Sequence, residues 1–363
     1  MGAGVSLPAW AEWSPAGAEA PWTVGVEEEV MLLDPVTWMP ASRSEEVLAA
    51  LDRDVAAHTA AETHGSAVEL ATDPHQTVAG AVEQLAQLRA GLAEGLDRVG
   101  LVAAVAGTHP LARWEDTQVS PGARYQFLYA SMRELARREP TFALHVHVAV
   151  PDPEAAMRAL AGVRRHLPTL LALSANSPFW QGRDSGLASA RIPIFQAFPR
   201  TGLPRHFDSY ADYVEAVDVL LRCDAIPGPT FLWWDARLQP CFGTVEVRIM
   251  DAQTRVRDTA AEVLGENRFL AARDGMRAAL VDPEAGRRVP VTDLLAALVR
   301  DCAPHARRLC CVPELAGVDA LCDRPGATRQ RETAARAEGL PGVLRALHGE
   351  FLASRAEPAG QLS

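Results

Sequence analysis

The chain has 363 residues, 48% of them hydrophobic, with a formal net charge of -11. That content is ample for a sizeable core, in one large domain or two ordinary ones. The acidic balance argues against nucleic-acid binding, which needs a concentrated excess of Lys and Arg, and no stretch reaches the roughly 20 apolar residues of a membrane span.

The N-terminus carries acidic residues and Pro in place of a basic region followed by an apolar one, so a cytoplasmic location is expected. Cys223, Cys241, Cys302, Cys310, Cys311 and Cys322 show no C-x-x-C spacing, which reads as idle or buried thiols rather than a disulfide framework or zinc knuckle. Residues 1–22, rich in Ala, Gly, Pro and Trp without a period, read as a loose leader, and 23–363 as one catalytic domain with a helical C-terminal portion.

In chain order, Val24–Val30 alternates as a strand and runs to the turn at Asp34-Pro35. Ser44 followed by Glu45, Glu46 and an apolar run starts a helix, and Ser66–Thr72 returns as a strand. Thr77–Val99 carries Val78, Ala81, Val82, Leu85, Leu88 and Leu92 at helical spacing. Leu101–Ala106 is an apolar run of strand length that ends at Gly107-Thr108-His109-Pro110. Arg124–Arg138 reads as helix and Leu144–Val148 as strand; Pro153 opens a further helix through Val163, and Leu167–Ala175 continues helically. The Gly-, Pro- and Arg-rich stretch 176–207 is expected to lie over the site. After the helix Tyr210–Leu221, two strands around the turn near Pro240 and Gly243 make an antiparallel hairpin, and from Asp258 onward the pattern is helical with breaks near Pro283, Pro304, Pro325 and Pro341.

Five of these segments place charged side chains on one strand face and apolar ones on the other. Alternation puts Glu27 with Glu29, His145 with His147, Asp235 with Arg237, and Glu246 with Arg248, while Glu69 lies between Val68 and Leu70. If the strands share a sheet, one face packs on a core and the other gathers carboxylates, imidazoles and guanidiniums. Glu27, Glu29, Glu69 and Glu246 with one or two histidines form an oxygen-rich donor set suited to Mg²⁺ or Mn²⁺. Two or three such ions would serve a nucleotide triphosphate, and Arg248 and Arg237 could clamp a carboxylate or a transferring phosphoryl group. That inventory suits acyl phosphate formation followed by attack of an amine. Taken singly the pieces have plainer explanations: a solvated acidic run, two structural histidines, and ion pairs of Glu246 with Arg248 and of Asp235 with Arg237. No G-x-x-x-x-G-K-[ST] loop, G-x-G-x-x-G turn or Gly-x-Ser-x-Gly elbow is present.

In combination, Val24–Glu29, Gly107–Pro110, His145-Val146-His147, Ala190–Pro199, Trp234–Arg237 and Phe242–Asp251 resemble the type 2 glutamate-cysteine ligases, and more closely the YbdK-like carboxylate-amine ligases, from about Thr23 to Phe351. The resemblance implies an α+β, glutamine-synthetase-like fold in which an antiparallel sheet backed by helices forms an active-site funnel. It implies ATP-dependent formation of γ-glutamylcysteine from L-glutamate and L-cysteine through a γ-glutamyl phosphate, releasing ADP and phosphate. Glu27, Glu29, Glu69, His145 and Glu246 become the metal ligands for Mg²⁺ (or Mn²⁺). Arg248 and Arg237 become catalytic, and Arg191, His147 and Asp235 contact substrate or nucleotide, with His147 an alternative ligand. The partners are small amino acid substrates, with no nucleic acid or membrane, and the candidate assembly is a homodimer. Three departures stand out: Ala143 where relatives commonly have Gly, Cys241 at a turn position that is usually polar, and a segment after Asp258 short by about a helix and a loop. They motivate one alternative, a weak or silent homologue that binds a metabolite or partner.

Overall fold

A computed structural model describes residues 7–138, 140–254, 266–282, 287–336 and 339–353. Its centre is a seven-stranded antiparallel sheet of β1 (Val24–Leu33), β2 (Thr59–Ala61), β3 (Ala67–Ala71), β4 (Val102–Ala104), β5 (Ala143–Ala149), β6 (Ala236–Gln239) and β7 (Thr244–Asp251). The strand order is β6-β7-β5-β1-β3-β2, with β4 paired to the end of β1 at Met31–Leu33. Alternation does what the pattern predicts: Val26, Val68, Leu70, Leu144, Val245 and Val247 are buried on one face, and the charged residues between them turn to the other.

Helices cover the apolar face. The longest, α1 (Val78–Val99), begins where the Thr77 hydroxyl accepts from Gly80 N at 3.1 Å and ends at Gly100, whose φ of 69° a side chain would strain. It packs on β1, β3 and β4 through Ala81, Leu85, Leu88, Leu92 and Leu96, each apolar side chain of Leu size contributing about 1.5–3 kcal/mol by burial. Leu167–Ser174, buried throughout, packs on β7, and Pro153–Arg164 packs on β6 and β7. The architecture is α+β, an antiparallel sheet with helices on one side and an open, charged face on the other.

The structure differs from the sequence expectation in several places. Residues 7–22 are docked rather than loose: Ala11 is fully buried, Trp10 and Trp13 pack on Tyr213 and Tyr210 with ring centroids 6.3 and 5.9 Å apart, and Trp13 Nε1 donates to Val150 O at 3.0 Å. A Cβ at Gly17 would collide with the carbonyl oxygens of Val150 and Gly243, so the leader lies directly on the β6–β7 turn. The helix expected over Arg124–Arg138 divides into α2 (Ala123–Met132) and Leu135–Arg138, because Arg133 takes a φ of 56°. The strand expected at Trp233–Leu238 also divides: Trp233–Trp234 pairs in parallel with Thr201–Gly202, and only Ala236–Gln239 joins β7. Beyond Glu266 the chain is not all helix, since Ala279–Asp282 and Arg287–Pro290 form a hairpin, and the helix Val291–Arg308 runs through Pro304 instead of breaking there. The short segment after Asp258 lies outside the described residues.

Candidate active site

Strand register assembles the charged face. β1 against β5 sets Glu27 opposite His145, and β1 against β3 sets Glu29 opposite Glu69. On the other flank, β5 against β7 sets His147 opposite Glu246, and β7 against β6 sets Glu246 opposite Arg237. Directly opposed side chains on one face lie within about 5 Å of one another at Cβ, so five sequence-distant segments converge on a single patch.

His145 is its centre. Its Nδ1 lies 3.0 Å from Glu27 Oε2, 4.0 Å from Glu69 Oε2 and 3.9 Å from Glu246 Oε1, and its Nε2 lies 4.0 Å from Glu29 Oε1. Two groups of donor atoms, Glu27/His145/Glu246 and Glu29/Glu69/His145, each fall within 4.8 Å of one another and share that imidazole. Burial, together with the nearby Arg248 guanidinium, pushes His145 down to about 4 and keeps it a neutral donor. His147 Nε2 approaches Glu27 Oε1 at 3.3 Å, and its Nδ1 pairs with Thr244 Oγ1 at 3.0 Å.

The carboxylates crowd one another. Burial and the charge of Glu62 push Glu29 up to about 8, and burial with Glu27, Glu62 and Glu29 carries Glu69 well above the usual range. Glu29 Oε2 also accepts from Ala143 N at 2.7 Å, so the backbone at Ala143 contributes to the floor. Glu246 is the opposite case. Burial alone would raise it, but Arg248 and Arg237 hold it well below the carboxylate range. It accepts from Arg237 Nε at 2.6 Å, Arg237 Nη2 at 3.2 Å and Gln239 Nε2 at 2.7 Å, and from Arg248 Nη1.

Above this floor opens a cavity of about 350 Å³, lined at its base by Glu27, Glu29, Glu69, His145, Arg191, Arg237 and Arg248. Arg237 is fixed in place, because Nη1 also donates to Thr230 O and Leu232 O at 2.9 and 2.8 Å. Arg191 donates to Ile249 O and Arg248 O at 3.1 and 3.3 Å, and its backbone N–H to Ser177 Oγ at 3.2 Å. Asp251, fully buried, holds that corner: Oδ2 accepts from Asn176 N at 2.8 Å and Ser177 Oγ at 2.6 Å, and Oδ1 from Ser189 Oγ at 2.8 Å. The stretch 176–207 supplies one wall through Arg191, Phe195 and Phe198.

Asp235 and His147 are not among the cavity's lining residues. Asp235 is buried against Arg268, with Nη2 donating to Oδ1 at 2.8 Å and Nε 2.8 Å from Oδ2. Sequence reasoning missed Glu62, Arg124 and Tyr125, which line the cavity from the β2–β3 connection and from α2. It also passed over Glu28, which alternation sends into the core to pair with Arg89.

The donor set fits hard divalent cations. Four carboxylates and one imidazole converge, the oxygen-rich mixture such ions favour, and the buried Nε2 atoms of His145 and His147 have no hydrogen-bond partner among the described residues.

The glutamate-cysteine ligase family 2 model matches residues 23–264 and 261–350. A Rubrobacter xylanophilus protein named "Putative glutamate--cysteine ligase 2-1" is 38% identical over 337 residues, 86% of this chain and 90% of its own length. A second from that organism, "Putative glutamate--cysteine ligase 2-3", is 39% identical over 350 residues, 90% of this chain and 96% of its own. Among solved structures, the glutamate-cysteine ligase of Francisella tularensis, crystallised with AMP, superposes with a TM-score of 0.63 at 12% identity, covering 94% of this chain and 90% of that one, a likeness of fold. The chain therefore belongs to glutamate-cysteine ligase family 2 and is an enzyme of the carboxylate-amine ligase type.

Proposed function

We propose that the chain joins an acid to an amine at the expense of ATP, activating the γ-carboxylate of L-glutamate as γ-glutamyl phosphate, with L-cysteine as the family's reference amine. The observation that carries this reading is the floor itself, where one imidazole is shared by two pairs of carboxylates and Arg191, Arg237 and Arg248 line the same cavity. Glu27, Glu29, Glu69 and Glu246, with His145, would hold Mg²⁺ or Mn²⁺, which when bound supplies positive charge for the triphosphate.

The chain's own residues do the rest. Arg248 and Arg191 present planar guanidiniums that can take a carboxylate or phosphoryl oxygen bidentately, while Arg237 holds Glu246 in register. A γ-carboxylate oxygen attacks the terminal phosphorus of ATP, the bond to the bridging oxygen breaks, and ADP leaves. The amine, having lost one proton to a base, attacks the acyl carbon; the carbon–oxygen bond to phosphate breaks, and the second nitrogen proton leaves with the phosphate. Glu29 and Glu69 are held above the usual carboxylate range by burial and by neighbouring carboxylates, and added cations would favour their ionised form beside a triphosphate.

A coupled ADP-release assay with Mg²⁺, ATP and pairs of amino acids tests the reading. Turnover that needs both an acid and an amine supports it. Intact ligand binding with no turnover for any pair would favour a silent homologue, and amide cleavage without ATP would indicate a hydrolase.

A further inference from the structure

One wall of the cavity differs chemically from its floor. Phe195, Phe198, Phe231 and Trp233 form a continuous wall, with ring centroids 5.7 Å apart for Phe195–Phe198, 5.8 Å for Phe198–Trp233 and 5.8 Å for Phe231–Trp233. At the rim, Arg124 on α2 stands 4.7 Å over the Phe231 ring, with Nη1 donating to Thr230 Oγ1 at 3.2 Å. Glu62 lines the cavity from the β2–β3 connection, within electrostatic reach of both Glu29 and Glu69. Tyr125, beside Arg124, feels the charges of Glu62 and Arg124 together, and its hydroxyl donates to Ala61 O. An anion, a cation and an apolar wall therefore surround one space above the floor.

An attacking amine must place its nitrogen beside the activated carbonyl at that floor, so the rest of the molecule extends along this wall. Resting on the ligase reading above, we propose that the acceptor is an α-amino acid with a large apolar side chain, aromatic or branched aliphatic, rather than a small one. Glu62 receives the α-ammonium, Arg124 takes the α-carboxylate, and the four rings cover the side chain. A side chain as short as that of alanine or cysteine reaches little of the wall, whereas a phenyl or isobutyl group removes the rings from water along with itself.

The test uses the full chain with ATP, Mg²⁺ and L-glutamate, and compares L-phenylalanine, L-leucine, L-cysteine, L-alanine and 2-phenylethylamine as acceptors. Phenylalanine or leucine should exceed alanine in kcat/KM by roughly tenfold or more, the scale on which an apolar pocket separates side chains of different size. Phe231→Ala and the gentler Trp233→Phe should shrink that ratio while leaving KM for ATP and glutamate in place. Arg124→Ala should lower kcat/KM for phenylalanine but not for 2-phenylethylamine, which has no carboxylate to lose. Alanine or cysteine used as well as phenylalanine and leucine overturns the proposal and leaves the ligase reading intact. A rise in KM for ATP on altering Phe231 or Trp233 also overturns it, since the wall would then hold the nucleobase. If no acid and amine together release ADP, the ligase reading fails. Calorimetric titration of phenylalanine against alanine then still decides the wall: tighter phenylalanine binding, lost in Phe231→Ala, supports it, and equal binding overturns it.

Discussion

Arg89→Met makes the strongest test of how the floor is held from behind. Arg89 and Glu28 are both fully buried, with Nε donating to Glu28 Oε2 at 2.7 Å and Nη2 to Oε1 at 2.5 Å. The same guanidinium donates to Thr254 O at 2.9 Å and Gln253 O at 2.6 Å, the residues that leave β7 just past the site, and its Cζ lies 5.3 Å over the Phe351 ring. Methionine keeps much of the volume and removes every donor. A buried carboxylate left without its partner costs about 3–5 kcal/mol, and two carbonyls stripped of their donors add about 1 kcal/mol each. The total of roughly 5–7 kcal/mol rivals the net stability of many domains, so Arg89→Met should lower the urea midpoint severely, read by tryptophan fluorescence. Glu28→Leu with Arg89→Met removes both charges together and should recover at least half of the loss, because an apolar replacement of a buried pair is close to neutral. A single variant within 1 kcal/mol of the wild type, or a double variant no better than the single one, would refute the assignment of Arg89 as counter-ion to Glu28.

Glu27→Gln and Glu246→Gln should each reduce ligation by at least 100-fold with the circular dichroism spectrum unchanged, since each deletes a charge shared with His145; wild-type rates in both would remove the site. Asp251→Asn exchanges an acceptor for a donor amid Asn176 N, Ser177 Oγ and Ser189 Oγ, at a cost of about 1–3 kcal/mol. Steady-state kinetics should then show kcat/KM down about tenfold as Arg191 loses its anchor. His109 predicts a pH dependence. Burial pushes its pKa down to about 4, while Nδ1 accepts from Leu111 N and Ala112 N and Nε2 meets Trp38 O, which suits only the neutral ring. Its folded pKa lies below the unfolded value near 6.5, so its contribution is complete above pH 6.5 and falls by about 1.4 kcal/mol per unit toward pH 4, or roughly 3 kcal/mol in all. Denaturation midpoints measured between pH 7 and 4.5 should fall less steeply in His109→Gln than in the wild type, and parallel curves would contradict this.

The floor was legible in the sequence because strand alternation is rigid: once Glu27 faces the site, Glu29 must, and pairing with β3 and β5 brings Glu69 and His145 beside them. The same parity argument sends Glu28 to the core, and an arginine on the apolar stripe of α1, four residues after Leu85 and three before Leu92, was a readable signal for its partner. Asp235 shows the limit of parity. The strand ends on either side of it, and its carboxylate turns to Arg268, a choice made by tertiary packing with a helix 33 residues away. Glu62 sits between strands, where no periodicity gives a direction, and the roles of Arg124 and Tyr125 depend on where α2 comes to rest. The docked leader was signalled only by its tryptophans, whose partners Tyr210 and Tyr213 lie far along the chain.

Arg248 raises the question of what occupies the floor before substrates arrive. A carboxylate offers about four lone-pair positions, and Glu246 fills them with Arg237 Nε, Arg237 Nη2, Gln239 Nε2 and Arg248 Nη1. An ion that takes Glu246 as a ligand must therefore displace one of these donors. Arg237 is held by two carbonyls besides, whereas Arg248 has only Glu246 and a 3.5 Å approach to His145 Nδ1 among its side-chain hydrogen bonds in the described residues, so Arg248 is the donor that would give way. Once displaced, its guanidinium would be free to meet an anionic substrate, and metal binding would then be coupled to substrate contact through one side chain. The consequence runs against the usual loss-of-function expectation: without nucleotide, Arg248→Ala should bind Mn²⁺ more tightly than the wild type, even as its ligation rate collapses. Two unit charges 4 Å apart interact by about 4 kcal/mol at an effective dielectric of 20, so removing one competing cation should tighten binding by at least tenfold, equivalent to about 1.4 kcal/mol. Titration followed by the Mn²⁺ electron paramagnetic resonance signal measures this directly, and unchanged or weaker binding in Arg248→Ala would show that Glu246 is not a ligand over which ion and arginine compete.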